Sequence, residues 1–210
     1  MKNIYLIGMP SSGKSTLGKE LARNLGYSFT DMDKLIETRE QKTISEIFSG
    51  QGESHFRDLE KKTLHGFQPD QSMVIATGGG VPCFNDNMEF IKNNGVSIFL
   101  NVDVNDLAKR LYKAQGNNRP LLDKSQSEEA VIDTIKKTFE ERLSFYKQAD
   151  IQELLNEYPS IKAVHLSIGG NDFLGDWYVD MTQEQVDTMT QDVFDRLIAV
   201  VDFIKQARPD

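Results

Sequence analysis

The sequence predicts an α/β fold in which a parallel sheet is covered by helices on both of its faces. Four short apolar runs alternate with longer segments of helical periodicity, and this alternation is typical of parallel strands joined by helical crossovers. A glycine-rich loop lies between the first apolar run and the first helical segment, which is the expected local order at the start of such a sheet. The chain has 210 residues, enough for one domain of this kind with an appended segment.

The individual elements follow in chain order from their local patterns. The apolar run 3–8 ends at a glycine and predicts a buried first strand, and the segment 14–24 after it has helical spacing. A second strand is predicted over 27–33, where YSFTDMD ends in two acids, and a third over 72–80, where three glycines stop an apolar run. The remaining predicted elements are a fourth strand over 96–102, helices over 33–39, 43–66, 104–114 and 127–148, and a polar loop over 113–125.

The composition argues against several classes of protein. The net charge of −8 argues against a nucleic-acid partner, and no run of 18 apolar residues is present to form a membrane-spanning helix. Cys83 is the single cysteine, which excludes an internal disulfide and fits a reducing cytoplasm. The apolar N-terminal run leads straight into the glycine-rich loop, which favours a buried strand over a signal peptide. We therefore expect a cytoplasmic protein, monomeric, with neither nucleic acid nor membrane as a partner.

Residues 8–15, GMPSSGKS, match the G-x-x-x-x-G-K-S/T pattern of a phosphate-binding loop. The glycines let the backbone turn tightly and aim N–H groups inward, and the helix N-terminus adds partial positive charge. Lys14 supplies a full charge for the β- and γ-phosphates, and the Ser15 hydroxyl suits Mg²⁺. An ordinary Gly/Ser turn is the alternative, but the pattern and both flanking elements favour nucleotide binding. The candidate nucleotide-binding residues are Gly8, Met9, Pro10, Ser11, Ser12, Gly13, Lys14, Ser15 and Thr16.

Two acidic side chains, Asp31 and Asp33, end the second predicted strand, where α/β folds gather ligand groups. In an extended chain they point to opposite faces, so one can face a metal ion while the other faces an acceptor hydroxyl. The alternatives are a solvated pair at the strand end, or a helix N-cap formed by Asp31 or Asp33.

Three arginines are candidate anion-binding groups. Arg57 can grip a substrate carboxylate with two parallel hydrogen bonds, or form a surface ion pair with Glu60 three residues later. Arg119 lies in the polar loop, a plausible lid that brings a cation to the transferring phosphate. Arg142 is either a second carboxylate clamp or a helix-surface cation. Glycines expose backbone N–H groups that a ligand can reach, and such groups are expected at Gly78, Gly79 and Gly80. The alternative is a flexible turn.

Six segments, in order, resemble the shikimate kinase family and together extend over residues 1 to about 151. They are GMPSSGKSTLGKELA, DMDKLIE, ESHFRDLE, ATGGGVP, NRPLL and ERLSFYKQAD. The resemblance implies a P-loop kinase of the nucleoside-monophosphate-kinase-like fold, with three layers and strand order 2-3-1-4-5. It also implies ATP- and Mg²⁺-dependent phosphorylation of the shikimate 3-hydroxyl in the pathway to chorismate and the aromatic amino acids.

The same resemblance implies roles for individual residues. Ser15 and Asp31 match the Mg²⁺ residues, with Asp31 acting through water. Lys14 and Arg119 match the cations on the transferring phosphate, and Arg119 also contacts the nucleotide. Asp33 matches the residue that accepts the proton of the hydroxyl or orients it. The implied shikimate contacts are Asp33, Arg57, Gly78, Gly79, Gly80 and Arg142.

Residues 152–210 differ in character from the rest of the chain. They hold 4 basic and 11 acidic residues, whereas residues 1–151 hold 20 and 21. The stretch AVHLSIGGNDFL, residues 163–174, resembles the strand and oxyanion-loop block of SGNH/GDSL-type hydrolases, so the segment from about residue 157 resembles a fragment of that family. In that family the residues matching Gly170 and Asn171 would donate hydrogen bonds to an oxyanion. The nucleophile block and the closing Asp-x-x-His of that family do not occur in the sequence, so a hydrolase triad is not expected.

Two interpretations of this C-terminal segment remain open. It is either an unusual ending of the kinase domain or the result of a junction between unrelated sequences near residues 150–157. We expect residues 162–168 to pack on the core as a surrogate fifth strand and residues 193–206 to cover it as a helix. The contact with adenine should then be poorer than usual, which would weaken ATP affinity. The alternatives to shikimate phosphorylation are a gluconate-type P-loop kinase and an inactive nucleotide-binding protein with a hydrolase-derived tail.

Overall fold

The structure is a computed structural model that describes residues 2–113 and 128–151. In these ranges four strands form one parallel sheet in the order β2-β3-β1-β4. The register pairs Tyr5 of β1 with Ile75 of β3 on one side and with Ser97 of β4 on the other. The strands are β1 (Asn3–Ile7), β2 (Ser28–Asp31), β3 (Met73–Ala76) and β4 (Gly95–Phe99).

Helices connect and cover these strands. Among the described residues they are α1 (Lys14–Leu25), α2 (Met32–Glu40), α3 (Ile44–Leu64), α4 (Asn87–Asn94), α5 (Val104–Lys113) and α6 (Glu128–Tyr146), with a short 3-10 helix at Val81–Cys83. None of them is both long and apolar enough to span a lipid bilayer. The sequence pattern predicts all of these α-helices except α4, whose residues NMEFIKNN are rich in asparagine and therefore favour a turn.

The second strand and the helix after it differ from the prediction. β2 ends at Asp31, and Asp33 lies in the first turn of α2. The prediction that both acids end the strand and point to opposite faces is therefore wrong. The Asp31 carboxylate accepts a hydrogen bond from the Lys34 backbone N–H at 3.3 Å, which makes Asp31 the N-cap of α2. The N-cap is favoured over an extended strand because the Asp31 carboxylate satisfies a helix N–H group that has no partner within the helix.

The sheet separates two apolar layers. On one face, Ile4 and Leu6 of β1 pack against α1, and on the other face Tyr5 and Ile7 pack against side chains of α3, α4, α5 and α6. All four of these β1 residues are fully buried. Because consecutive strand residues point to opposite faces, a strand that is apolar throughout supplies both layers. The predicted three-layer α/β arrangement is confirmed.

A smaller apolar cluster joins α2 to α3, where Ile36 packs with Ile47 and Phe56. Helix α3 bends at Gly52, whose φ of 81° lies in the left-handed region that favours glycine. The part of α3 after this bend carries Arg57. The bend and the small cluster therefore set the position of this candidate arginine.

The chain returns to the sheet beyond β4 at Ile151. The Ile151 N–H donates to the Ser97 carbonyl at 3.1 Å, and the Ile151 carbonyl accepts from the Phe99 N–H at 3.0 Å. The Asp150 carboxylate accepts from both the backbone N–H and the hydroxyl of Ser97, at 2.9 and 2.8 Å. Ile151 thus forms an isolated parallel bridge to β4, at the edge where the order 2-3-1-4-5 places a fifth strand. The strand and helix predicted within 152–210 lie outside the described residues.

Asp150→Ala is expected to destabilise the protein, because it removes the acceptor of the fully buried Ser97 backbone N–H. The expected loss is about 1–3 kcal/mol in the free energy of unfolding. Urea denaturation followed by circular dichroism measures this loss. Asp150→Asn keeps an acceptor oxygen and should lose less; an alanine variant as stable as the parent would contradict the role given to this side chain.

Candidate active site

The loop between β1 and α1 has the backbone of a phosphate-binding loop. Gly8 and Gly13 have φ values of 138° and 99°, which other residues rarely adopt. A Cβ at Gly8 would also lie 2.8 Å from the carbonyl oxygen of Leu100, just beyond β4. No side chain caps the start of α1, and its first turn holds no acid. The positive end of the helix dipole therefore faces the loop, as anion binding requires.

Lys14, the first residue of α1, is held against the backbone of this loop. Its Nζ donates to the carbonyl oxygens of Gly8 at 3.0 Å and Met9 at 2.7 Å, and the residue is only 8% exposed. These carbonyls orient the ammonium group without neutralising its charge. Because the effective dielectric constant is low at a buried position, this charge attracts a phosphate oxygen more strongly than an exposed lysine would.

Ser15 and Asp31 form the candidate metal site beside the loop. The Ser15 hydroxyl donates to Oδ2 of Asp31, while Oδ1 of Asp31 caps α2. The described residues contain no cluster of three or more His, Cys, Asp or Glu side chains able to hold a metal ion. A hydroxyl and one carboxylate nevertheless fit Mg²⁺, which commonly binds one or two protein oxygens and completes its shell with water and phosphate oxygens.

The glycine loop, formed by Gly78, Gly79 and Gly80 after β3, lies between the phosphate-binding loop and the charged side chains of the candidate acceptor site. A Cβ at Gly78 would be 2.7 Å from Oδ1 of Asp33 and 2.8 Å from Oε1 of Glu60. At Gly79 it would be 2.7 Å from Cδ of Pro10 in the phosphate-binding loop, and at Gly80 it would be 2.9 Å from Cζ of Arg57. Side chains at these positions would push the charged groups and the phosphate-binding loop apart, so the loop requires glycine for close approach.

Arg57 is enclosed by acidic and aromatic side chains. Its Nε and Nη2 donate to Oε1 of Glu53 at 3.1 and 2.8 Å, and its Nη1 donates to Oε2 of Glu60 at 2.7 Å. The Phe84 ring lies over the guanidinium, with Cζ 4.2 Å from the ring centroid. The alternative of a surface ion pair with Glu60 is wrong, because the side chains of Arg57 and Glu60 are 10% and 2% exposed.

The hydrogen bonds of Arg57 leave part of its guanidinium available. An arginine has five N–H donors, and three of them bond to Glu53 and Glu60. Within the described residues, one N–H on each terminal nitrogen therefore remains without a partner. These two donors can each bind an oxygen of an anion such as a carboxylate.

Four charged groups influence one another beside the glycine loop: Asp33, Arg57, Glu60 and Arg142. The pKa of Glu60 is raised to about 7, mainly by burial and in smaller part by the charge of Asp33, against the opposing effects of Arg57 and Arg142. The structure therefore brings together the candidate acceptor residues Asp33, Arg57 and Arg142, which are far apart in the sequence. Glu60 joins them as an acid whose charge changes near neutral pH.

This raised pKa predicts a pH-dependent stability. The folded protein binds the Glu60 proton more tightly than the unfolded chain, whose glutamates have a pKa of 4.5, so unfolding releases this proton between pH 4.5 and about 7. The free energy of unfolding should therefore fall as the pH rises through this range, by at most about 1.4 kcal/mol per pH unit from this group. Urea denaturation across the range should show a flatter profile for Glu60→Gln, whereas the exposed Glu53→Gln should keep the parental slope.

Three further residues near the site, Tyr146, Arg110 and Cys83, are absent from the site residues predicted from the sequence. The Tyr146 hydroxyl donates to the Gly79 carbonyl at 2.6 Å, and the Arg110 guanidinium donates to the Ser11 carbonyl at 3.3 Å. Burial raises the pKa of Cys83 to about 11, so this residue is a neutral thiol at physiological pH. The spacing of Tyr146, four residues after Arg142 on the same helix face, is a signal that could have marked it.

The other predicted site residues have different outcomes. Residues 8–16 all lie in the phosphate-binding loop or in the first turn of α1, as predicted. Arg119 lies outside the described residues, so its role as a lid cation stays a prediction.

The sequence and the fold are similar to known proteins. Residues 10–168 match the family model of shikimate kinase. A shikimate kinase of Parabacteroides distasonis is 44% identical over 151 residues, which cover 72% of this chain and 86% of the relative. One from Bacteroides fragilis is 45% identical over 150 residues, which cover 71% of this chain and 83% of the relative.

Solved structures extend the comparison to the fold. The crystal structure of shikimate kinase from Bacteroides thetaiotaomicron has a TM-score of 0.72 at 35% identity, covering 93% of this chain and 98% of that chain. Shikimate kinase from Acinetobacter baumannii in complex with shikimate has a TM-score of 0.70 at 26% identity, covering 95% and 94%. The predicted P-loop kinase fold is confirmed. Because the family model matches more than half of its residues, the chain belongs to the shikimate kinase family.

Proposed function

We propose that the protein transfers the γ-phosphoryl group of ATP to the 3-hydroxyl of shikimate. The observation that carries the proposal is the buried Arg57, which keeps two donors for a carboxylate beside a glycine loop that touches the phosphate-binding loop. Shikimate is a carboxylated ring with hydroxyl groups, so it matches the arginines, the carboxylate of Asp33 and the backbone N–H groups of this site. The names of the relatives and the shikimate complex of the Acinetobacter baumannii enzyme support the same acceptor.

On the nucleotide side, the residues act by neutralising charge. The loop backbone and the start of α1 bind the phosphates, and Lys14 stabilises the charge on the β- and γ-phosphate oxygens while the bond to the leaving ADP breaks. When bound, Mg²⁺ supplies further positive charge to these oxygens. Ser15 and Asp31 would hold the ion.

On the acceptor side, the residues act by orientation and proton acceptance. Arg57 and Arg142 bind the carboxylate, and the backbone of Gly78, Gly79 and Gly80 supports the ring. Asp33 orients the 3-hydroxyl and takes its proton while the oxygen forms the new bond to the γ-phosphorus. The bond from the γ-phosphorus to the bridging oxygen breaks, and ADP leaves with that electron pair. Arg119 would add a cation to the transferring phosphoryl group.

We also propose that the protein works as a monomer in the cytoplasm, without nucleic acid or a membrane as partner. The net charge of −8 argues against a nucleic-acid partner, and the single cysteine fits a reducing cytoplasm. Size-exclusion chromatography with light scattering would test the monomer, and a mass of twice 23.8 kDa would contradict it.

A coupled ADP-release assay with shikimate, gluconate and nucleoside monophosphates tests the proposed reaction. We expect turnover with shikimate and far less with the other acceptors. A preference for gluconate would instead support the gluconate-type kinase. ATP binding by calorimetry without shikimate-dependent ADP release would support an inactive nucleotide-binding protein. Ester hydrolysis that survives Lys14→Ala but not Asn171→Ala would support a hydrolase; Gly170 and Asn171 lie outside the described residues.

A further inference from the structure

Tyr146, the last residue of α6, carries a fully buried hydroxyl at the junction between the acceptor and nucleotide halves of the site. This hydroxyl donates a 2.6 Å hydrogen bond to the carbonyl of Gly79 and lies 3.7 Å from Sδ of Met9. Gly79 belongs to the glycine loop and Met9 to the phosphate-binding loop. One phenol therefore contacts both loops.

A second contact joins the same two loops. A Cβ at Gly79 would lie 2.7 Å from Cδ and 3.1 Å from Cγ of Pro10, so the glycine backbone is in direct contact with the proline ring. Close packing of this kind transmits small displacements, because protein interiors leave little free volume. A shift of the Gly79 peptide therefore changes the separation between acceptor and nucleotide.

We propose that Tyr146 is a positioning residue that fixes the glycine loop relative to the phosphate-binding loop, so that the acceptor hydroxyl lies in line with the γ-phosphate. The inference rests on the proposed phosphorylation of shikimate. Tyr146 acts through Gly79 and touches neither the acceptor nor the phosphates in this role. Its contribution is alignment, on which phosphoryl transfer depends more than on covalent chemistry.

The hydrogen bond acts on the orientation of one peptide group. The peptide between Gly79 and Gly80 is planar, so its carbonyl and the Gly80 N–H point in opposite directions. Glycine on both sides leaves this peptide unusually free to rotate. Because Tyr146 binds the carbonyl, the Gly80 N–H is held pointing away from the buried phenol. Loss of the hydroxyl would free the Gly79 carbonyl and the Gly80 N–H to rotate together, because they belong to the same peptide group.

The phenol itself is held in place and stays protonated. Its ring stacks on Phe99 of β4 with the centroids 5.1 Å apart. Burial raises the pKa of Tyr146 far above its usual value, although Arg142, through its charge and a hydrogen bond to the same hydroxyl, opposes the rise. The hydroxyl therefore remains a hydrogen-bond donor at every pH at which the enzyme would work.

Tyr146→Phe removes this hydroxyl and keeps the ring, so it tests the inference with little loss of packing. Tyr5→Phe is the matched control, because Tyr5 is also fully buried, but its hydroxyl lies near Asn3 and Asn94 at the amino ends of the strands. Both variants are assayed with ATP and shikimate for kcat, for the dissociation constant of ATP, and for the ratio of ADP released to shikimate phosphorylated. This ratio is measured per turnover, so it does not depend on the folded fraction.

We expect Tyr146→Phe to lower kcat roughly tenfold and to raise the ratio of ADP to phosphorylated product above that of Tyr5→Phe, with ATP affinity unchanged. A misaligned acceptor allows water to take the phosphoryl group, which raises the ratio. An unchanged ratio would overturn the inference even if kcat fell, because a merely structural role lowers both products together. A loss of ATP affinity as large as the loss of kcat would overturn it as well. Failure of the parent enzyme to phosphorylate shikimate would instead refute the proposed function.

Discussion

Replacement of Lys14 by alanine is expected to lower kcat for shikimate phosphorylation by roughly 10²–10³-fold. The ammonium group lies 3.0 and 2.7 Å from the carbonyl oxygens of Gly8 and Met9, at the centre of the phosphate-binding loop. Charge on the phosphate oxygens grows as the bond to ADP breaks, and no other described side chain of the loop carries a positive charge. The loss therefore falls mainly on the transition state.

The measurement is steady-state ADP release at saturating shikimate, with ATP varied. Lys19→Ala is the control, because Lys19 lies on the same helix α1 but is exposed to solvent. Lys19→Ala should keep parental kcat. A Lys14→Ala enzyme with kcat within threefold of the parent would contradict the role of Lys14 as the cation on the transferring phosphate.

Arg57→Ala is expected to weaken shikimate binding by about 2–4 kcal/mol, roughly 30- to 1,000-fold in the dissociation constant. The substitution removes both donors for the carboxylate and leaves Glu60 buried without the cation to which it bonds. ATP affinity should change much less, because Arg57 lies on the acceptor side of the glycine loop. Isothermal titration calorimetry with each ligand separates the two effects.

Two further variants show whether the loss comes from the guanidinium itself. Arg57→Lys keeps the positive charge near Glu60 but loses the planar pair of donors, so it should remain folded and still bind shikimate poorly. Arg39→Ala removes an exposed arginine of α2 and should bind both ligands like the parent. Equal affinities for shikimate in Arg57→Lys and the parent would argue against a bidentate carboxylate contact.

The phosphate-binding loop could be predicted from the sequence in detail, because its geometry is local. Glycines at fixed positions, Lys14 and the flanking strand and helix all lie within residues 3–25, so the pattern contains the whole structure. The layered fold could be predicted for a similar reason. Its apolar strands and helical segments are regular, and the chain connections between them are short.

The acceptor side could be predicted only in its residue types. Asp33 was expected on a strand, but β2 ends two residues earlier because Asp31 caps α2, which starts at Met32. Whether Arg57 and Glu60 form an exposed or a buried pair depends on the helices packed around them, which no spacing along α3 reveals. The spacing from Arg142 could have marked Tyr146 as a neighbour of the site, but its contact with Gly79 joins residues 67 positions apart and no local pattern identifies that partner.

The edge of β4 has a consequence for synthesis of the chain on the ribosome. Ser97 and the Asp150 carboxylate that binds it are 53 residues apart. At a translation rate of about 5–20 residues per second, the outer edge of β4 therefore stays unpaired for roughly 3–10 s until Asp150 has been synthesised. An open apolar strand edge is a template for pairing with another chain during that interval. We therefore expect nascent chains that stop between β4 and Asp150 to be the form most prone to association and the form for which a chaperone has the greatest effect on yield.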